Sequence, residues 1–162
     1  MNLITYYPLR SPIALVEAVK DIIQDKIVCD IGCGEGDILW LMKTYAKDVI
    51  GFEIDKNRYI HARNRGLKII VGDYYKDTLP KADIYYCWSN LPHDIPVIIS
   101  SLLKETSHKK LLVGGRKNAD HLNFCLEKYG GIIKDFYFKE PDRKEFPDFP
   151  FEGLWSIYIL EL

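Results

Sequence analysis

Val28-Cys29-Asp30-Ile31-Gly32-Cys33-Gly34-Glu35-Gly36-Asp37 is an apolar run that ends in an acid and passes into a glycine-dense turn. The residues leading to Asp30 (Ile27, Val28, Cys29) read as a short buried strand. Ile38, Leu41, Met42 and Tyr45 then fall at i, i+3, i+4 and i+7, the spacing of a helix with one apolar face. The turn therefore joins a strand to a helix. Glycine at three alternate positions lets the main chain turn sharply with no Cβ in the way. A ligand can then lie directly against backbone N–H groups at a helix N-terminus.

The spacing of the glycines selects the ligand. A dinucleotide site needs Gly-x-Gly-x-x-Gly with pyrophosphate on the helix end. Counting from Gly32, Asp37 stands where the third glycine belongs, and its carboxylate would repel a pyrophosphate. A nicotinamide-dependent oxidoreductase is set aside on that ground. The observed Asp-x-Gly-x-Gly-x-Gly resembles the first motif of class I S-adenosylmethionine-dependent methyltransferases. That resemblance implies S-adenosyl-L-methionine as cofactor, held around Asp30, Gly32, Gly34 and Gly36. An acid before the glycines suits a ligand that carries a sulfonium and an amino group.

Two further acids follow two further strands. Val49-Ile50-Gly51-Phe52-Glu53-Ile54-Asp55 repeats the pattern of an apolar run ending in acid. Glu53 lies about 20 residues beyond the turn, where a second parallel strand delivers a carboxylate to ribose hydroxyls. Ile54 would then lie against the adenine face, and Asp55 reads as a helix cap. Lys68 to Val71 forms a third strand, followed by Gly72-Asp73; the resemblance implies that Asp73 accepts a hydrogen bond from the adenine amino group. Between these strands runs a basic helix with Lys56, Arg58, Arg63 and Arg65, either a solvated face or a patch that tracks phosphates, with Gly66 closing it.

The remaining elements complete an alternating order. Ser11-Pro12 predicts a cap and first helical residue, with Val16, Val19 and Ile23 on one face of the helix that follows. Tyr6, Tyr7 and Arg10, ahead of it, either close over the cofactor or pack as an aromatic tail. Ala82 to Trp88 is a fourth strand, and Asp94 is expected to cap a helix that buries Ile95, Ile98, Ile99 and Leu102. A fifth strand spans Lys109 to Gly115, and a fifth helix carries Leu122, Cys125, Leu126 and Tyr129 up to Gly130-Gly131. Ile132 to Lys139 and Leu154 to Leu160 are two strands joined by a loop rich in proline and phenylalanine. Five strand–helix alternations imply a mostly parallel sheet covered on both faces. With the terminal hairpin, the expected class is a doubly wound α/β fold: seven strands, mostly parallel, with an antiparallel last strand, in one domain over residues 1–162.

Methyl transfer is an in-line displacement, so the acceptor must approach within about 3 to 3.5 Å of the methyl carbon in a site that excludes water. In the resembled family the methyl group points toward the end of the fourth strand, which here is Trp88-Ser89-Asn90-Leu91-Pro92-His93. Asn-Leu-Pro-His is similar to the Asn-Leu-Pro-Tyr of ribosomal RNA adenine dimethylases. By that resemblance Asn90 orients the target nitrogen, Leu91 supplies a carbonyl and His93 replaces the aromatic residue that stacks on the acceptor. The bland alternative is a proline-bearing loop before a helix. Trp88 is placed against the sulfonium as a cation–π partner, or in the core. Cys87, preceded by Tyr86 rather than proline, reads as a core thiol.

Composition narrows the partners. The chain has 162 residues with 22 basic and 23 acidic side chains, net charge −1, so no global field draws it to nucleic acid or an anionic membrane. Contact with RNA would need a local patch. The four cysteines form no Cys-x-x-Cys pair, which fits free thiols in a reducing, cytoplasmic setting, and no two-histidine spacing suggests a metal. No signal segment or membrane span is read. The expected activity is methyl transfer from S-adenosylmethionine to a nitrogen of a macromolecule, with RNA or protein favoured as acceptor. Small archaeal protein-lysine methyltransferases, which share a Tyr-Pro segment before the first helix, keep lysine open. The alternative is a cofactor-binding module that catalyses nothing without a partner.

Overall fold

The computed structural model describes residues 10–88, 93–105, 107–116, 119–139 and 152–162. Tyr6, Tyr7, Asn90, Leu91, Pro92 and the proline–phenylalanine loop lie outside them. In chain order the elements are α1 (Arg10–Ile23), β1 (Ile27–Ile31), α2 (Asp37–Met42), β2 (Asp48–Glu53), α3 (Lys56–Asn64), β3 (Lys68–Val71), β4 (Ile84–Trp88), α4 (Asp94–Leu102), β5 (Lys110–Arg116), α5 (Asp120–Tyr129), β6 (Gly131–Lys139) and β7 (Glu152–Glu161). The seven strands form one sheet in the order β3-β2-β1-β4-β5-β7-β6. Strands β1 to β5 pair in parallel, whereas β7 runs antiparallel to both β5 and β6. The doubly wound fold with its antiparallel last strand is the one expected.

Both faces of the central strands β1, β2 and β4 are buried, which explains why they read as apolar runs, whereas the edge strand β3 is largely exposed. On one face Leu15, Val16, Val19 and Ile23 of α1 and Leu39 and Met42 of α2 pack on Val28, Ile84, Tyr86 and Leu112. On the other, Ile95, Ile98, Ile99 and Leu102 of α4 and Leu122 and Cys125 of α5 pack on Cys29, Ile31, Tyr85, Cys87 and Leu111. Period two assigns alternate strand residues to opposite faces. Hence Val28 and Asp30 share one face, and Tyr86 and Trp88 share that same face one strand away. The strand order reverses between β1 and β4. In open α/β sheets the crevice beyond the carboxyl ends of the strands at such a point takes the ligand.

Several strand ends shift by one or two residues from the sequence reading, β4 starting at Ile84 rather than Ala82, and the helix boundaries differ as well. Helix α1 already contains Arg10, Ser11 and Pro12, so Ser11 is not its cap; proline is tolerated in a first turn, where its missing N–H forfeits no intrahelical bond. Asp94 is the first residue of α4 rather than its cap, a position held by His93 with no side-chain capping bond. Helix α2 stops at Met42, and the N–H groups of Thr44 and Tyr45 turn back to Leu41 and Met42 so that the chain can enter β2. By contrast Asp55 caps α3 as expected, its Oδ1 accepting from Asn57 N–H at 2.8 Å.

Candidate functional site

The glycine turn is built from three left-handed residues, Gly32, Gly34 and Gly36, with φ of 74°, 57° and 84°. They do different work. A Cβ at Gly32 would meet nothing within 4 Å, so the turn there faces open space. A Cβ at Gly36 would stand 2.4 Å from Leu67 Cδ1 and 3.3 Å from Ala62 Cβ, so this glycine lets the start of α2 close against α3 and the connection that follows it. Gly36 also donates its N–H to Cys33 O at 2.9 Å.

Glu53, at the end of β2, is 6% exposed and is tied to this turn. Its Oε2 accepts from Gly34 N–H at 2.7 Å and its Oε1 from Asp55 N–H at 2.9 Å. Each carboxylate oxygen has a second acceptor site, so both can still receive ribose hydroxyls. Ile54, the next residue, is 62% exposed and offers the flat apolar surface an adenine ring needs. Asp73 lies beyond the end of β3. One of its oxygens accepts from Tyr75 N–H at 2.9 Å and the other lies 3.5 Å from Lys76 Nζ.

Asp30 and Tyr86 are Cα partners in the β1–β4 register, on the helix-covered face that also carries Trp88. With Gly32, Cys33, Glu35, Asp37, Ile38 and Trp88 they line a cleft of about 190 Å³ at the strand-order reversal. Asp30 is 3% exposed. Burial, and next the nearby Glu53 carboxylate, push its carboxyl up to about 8. Burial likewise raises the Cys33 thiol, which is therefore inert rather than nucleophilic. Trp88 packs against Trp155 with ring centroids 4.9 Å apart, so it is both a wall of the cleft and part of the core.

The N–H groups of Gly32 and Cys33 bond Phe52 O, that of Gly34 bonds Glu53 and that of Gly36 bonds Cys33 O, so the turn is held by its own hydrogen bonds and what it offers a ligand is space with no Cβ, beside the buried Asp30 and the Glu53 carboxylate. Asp30, Gly32 and Trp88 are brought together in one cleft. Gly34 and Glu53 join it through their hydrogen bond, and Ile54 and Asp73 extend the same edge of the sheet. His93 stands at the start of α4, 70% exposed in its side chain, with Nε2 3.6 Å from Asp94 Oδ1. Sequence reasoning missed three features. Arg65, counted with the basic helix, bonds Asp37 and donates to Glu35 O at 3.1 Å, bracing the turn. Tyr75, and Tyr74 beside it, direct their hydroxyls to Asp94, which explains why that acid does not cap. Tyr86 was legible in principle, since period two places it on the face of Trp88.

This fold is that of the class I S-adenosylmethionine-dependent methyltransferases. The chain belongs to the family described as methionine biosynthesis protein MetW, whose model matches residues 14–109. It is 28% identical over 113 residues to a ribosomal RNA small subunit methyltransferase of Arabidopsis thaliana, covering 62% of this chain and 31% of that protein. The chain thus spans about a third of the length of this curated relative. Among solved structures, magnesium protoporphyrin IX methyltransferase from Synechocystis, with bound S-adenosylmethionine, shares 17% identity at a TM-score of 0.62, over 93% of this chain and 77% of that one. A dimethyladenosine transferase from Plasmodium falciparum shares 21% identity at a TM-score of 0.59, over 99% of this chain and 64% of that one. No helix among the described residues is long and apolar enough to cross a membrane.

Proposed function

We propose that this chain transfers a methyl group from S-adenosylmethionine to a nitrogen of a macromolecule, with RNA the favoured acceptor. The observation that carries the cofactor half is the bond from Gly34 N–H to Glu53, which fixes the glycine turn, with its clear space at Gly32, and the acid assigned to the ribose as one unit. The reactive methyl belongs to the cofactor, so the protein's part is to bind, orient and exclude water. Asp30 faces the ammonium, Glu53 the ribose, Ile54 and Asp73 the adenine, and Trp88 the wall beside the sulfonium.

The acceptor half rests on Asn90-Leu91-Pro92-His93, separated from β4 by one residue in sequence, and on the RNA methyltransferase named among the relatives. On this reading Asn90 accepts from the target amine and His93 covers its plane. With net charge −1, RNA must be met locally, and α3 offers Lys56, Arg58 and Arg63 while burying only Ala62. The four buried free cysteines fit a cytoplasmic setting.

Two experiments test this. Methyl label transferred from S-adenosylmethionine into a host extract should become nuclease-sensitive. Protease-sensitive label would move the acceptor to a protein side chain. Asn90→Ala should lower turnover at least tenfold while leaving cofactor affinity within about twofold, since it acts only where the acceptor sits. Equal losses in both would make Asn90 structural. The family description names methionine biosynthesis and no methyl acceptor, which favours a second reading: a cofactor-binding subunit that works only with a partner. Cofactor binding without transfer, until a partner is added, would support it.

A further inference from the structure

Tyr86 is 1% exposed, and its hydroxyl is buried with no hydrogen-bond partner among the described residues. Leaving such a group unsatisfied is unfavourable, and buried hydroxyls are nearly always bonded. A phenylalanine would fill the same space without that cost. Nor is the hydroxyl lost in the core: Tyr86 lines the cleft beside Asp30, and a Cβ on Gly114 of β5 would come within 3.1 Å of the hydroxyl and 2.5 Å of the Trp88 ring. Glycine at that point therefore clears room for the two aromatic side chains that wall the cleft.

We propose that Tyr86 determines ligand specificity: its hydroxyl donates to the carboxylate of the cofactor's aminoacyl end, while Asp30, its neighbour across the strands, takes the ammonium. A zwitterion needs one acceptor and one donor side by side, and Asp30 and Tyr86 supply that pair from adjacent register positions. The inference rests on the S-adenosylmethionine reading and deepens it, because it assigns a partner to the carboxylate, which Glu53 and Asp30 do not read.

The test is calorimetric titration of wild type and Tyr86→Phe with three probes: S-adenosylhomocysteine, decarboxylated S-adenosylmethionine, which keeps the amine, and 5′-methylthioadenosine, which lacks both charged groups. Tyr86→Phe should bind S-adenosylhomocysteine about tenfold more weakly, as expected for a hydrogen bond to a charged group. It should bind the other two within twofold of wild type. The ligand-free variant should also melt about 2 to 4 °C higher, since the unsatisfied hydroxyl is gone. Equal weakening of all three probes, or unchanged affinity for S-adenosylhomocysteine, would overturn the assignment. A wild-type protein that binds none of the three would instead overturn the cofactor reading on which it stands.

Discussion

Asp30 concentrates the physics of this site in one side chain. A carboxyl buried among apolar strands, with the Glu53 carboxylate nearby, resists ionisation, and its pKa rises to about 8 from an unfolded value near 3.9. The sign follows from proton counting. Between about pH 4 and pH 8 the folded chain holds a proton at Asp30 that the unfolded chain has released. Stability from this group therefore falls as pH rises through that window and is level above it. Asp30→Asn keeps the shape and removes the titration. Denaturant unfolding at intervals from pH 4.5 to 8.5 should show ligand-free wild type losing stability relative to the variant as pH rises. Parallel curves would mean that Asp30 ionises normally. The groups that feel the Asp30 charge are Glu53, Cys29, Cys33, Tyr86 and Cys87, so the difference between the two proteins reads Asp30 together with its coupling to them. An arriving ammonium favours the charged form, so ligand binding should remove part of this penalty.

At the scale of elements, the turn between β1 and α2 separates two roles for glycine. Gly32 opens toward the ligand, whereas Gly36 gives way to Leu67 and Ala62. Gly36→Ala adds left-handed strain of about 1 to 2 kcal/mol and an overpacked contact of about 1 to 3 kcal/mol. It should lower the melting temperature by about 5 °C or more, read by differential scanning calorimetry; a shift under 2 °C would show that α3 moves aside freely. The element order was legible in the sequence because each strand buried on both faces is an unbroken apolar run and each helix shows one apolar face. Local capping was less legible. Asp94 has the residue type and position of a cap, yet Tyr75, 19 residues earlier, holds its carboxylate. Arg65 likewise looked like one charge of a solvated helix, and only the fold brings it 28 residues back to Asp37. Such contacts depend on which strands become neighbours, and no local pattern encodes them. Asp30, Glu53 and Asp73, which we assign to the cofactor, stand out in the sequence because each lies at or near the end of an apolar run; the unsatisfied hydroxyl of Tyr86 does not, because it depends on the β1–β4–β5 register.

Over the whole molecule one sheet carries both layers, and the last hairpin locks it. Strand β7 lies between β5 and β6, and the backbones of Lys109 and Leu162 exchange hydrogen bonds at 3.0 and 2.8 Å. Helix α1 closes the other end of the sequence onto the same core, where Lys134 Nζ of β6 donates to Ala18 O at 3.3 Å. We therefore expect the chain to unfold as one cooperative domain, with calorimetric and van't Hoff enthalpies equal. Two resolved transitions would contradict a single domain. Among the described residues, a second cleft lies at the opposite end of the strands. The second, of about 620 Å³, is lined by Lys26, Asp83, His108, Lys109, Lys110 and Glu161 at the amino ends, where Lys109 and Lys110 are already paired with Glu105 and Glu161. We expect the ligand to take the carboxyl-end cleft, and a crystal structure with S-adenosylhomocysteine decides between the two. The site predicts ribose hydroxyls within hydrogen-bond distance of Glu53, with the aminoacyl end between Gly32 and Tyr86. A ligand seated in the Lys26–Lys109 cleft, or one whose ribose makes no contact with Glu53, would contradict it.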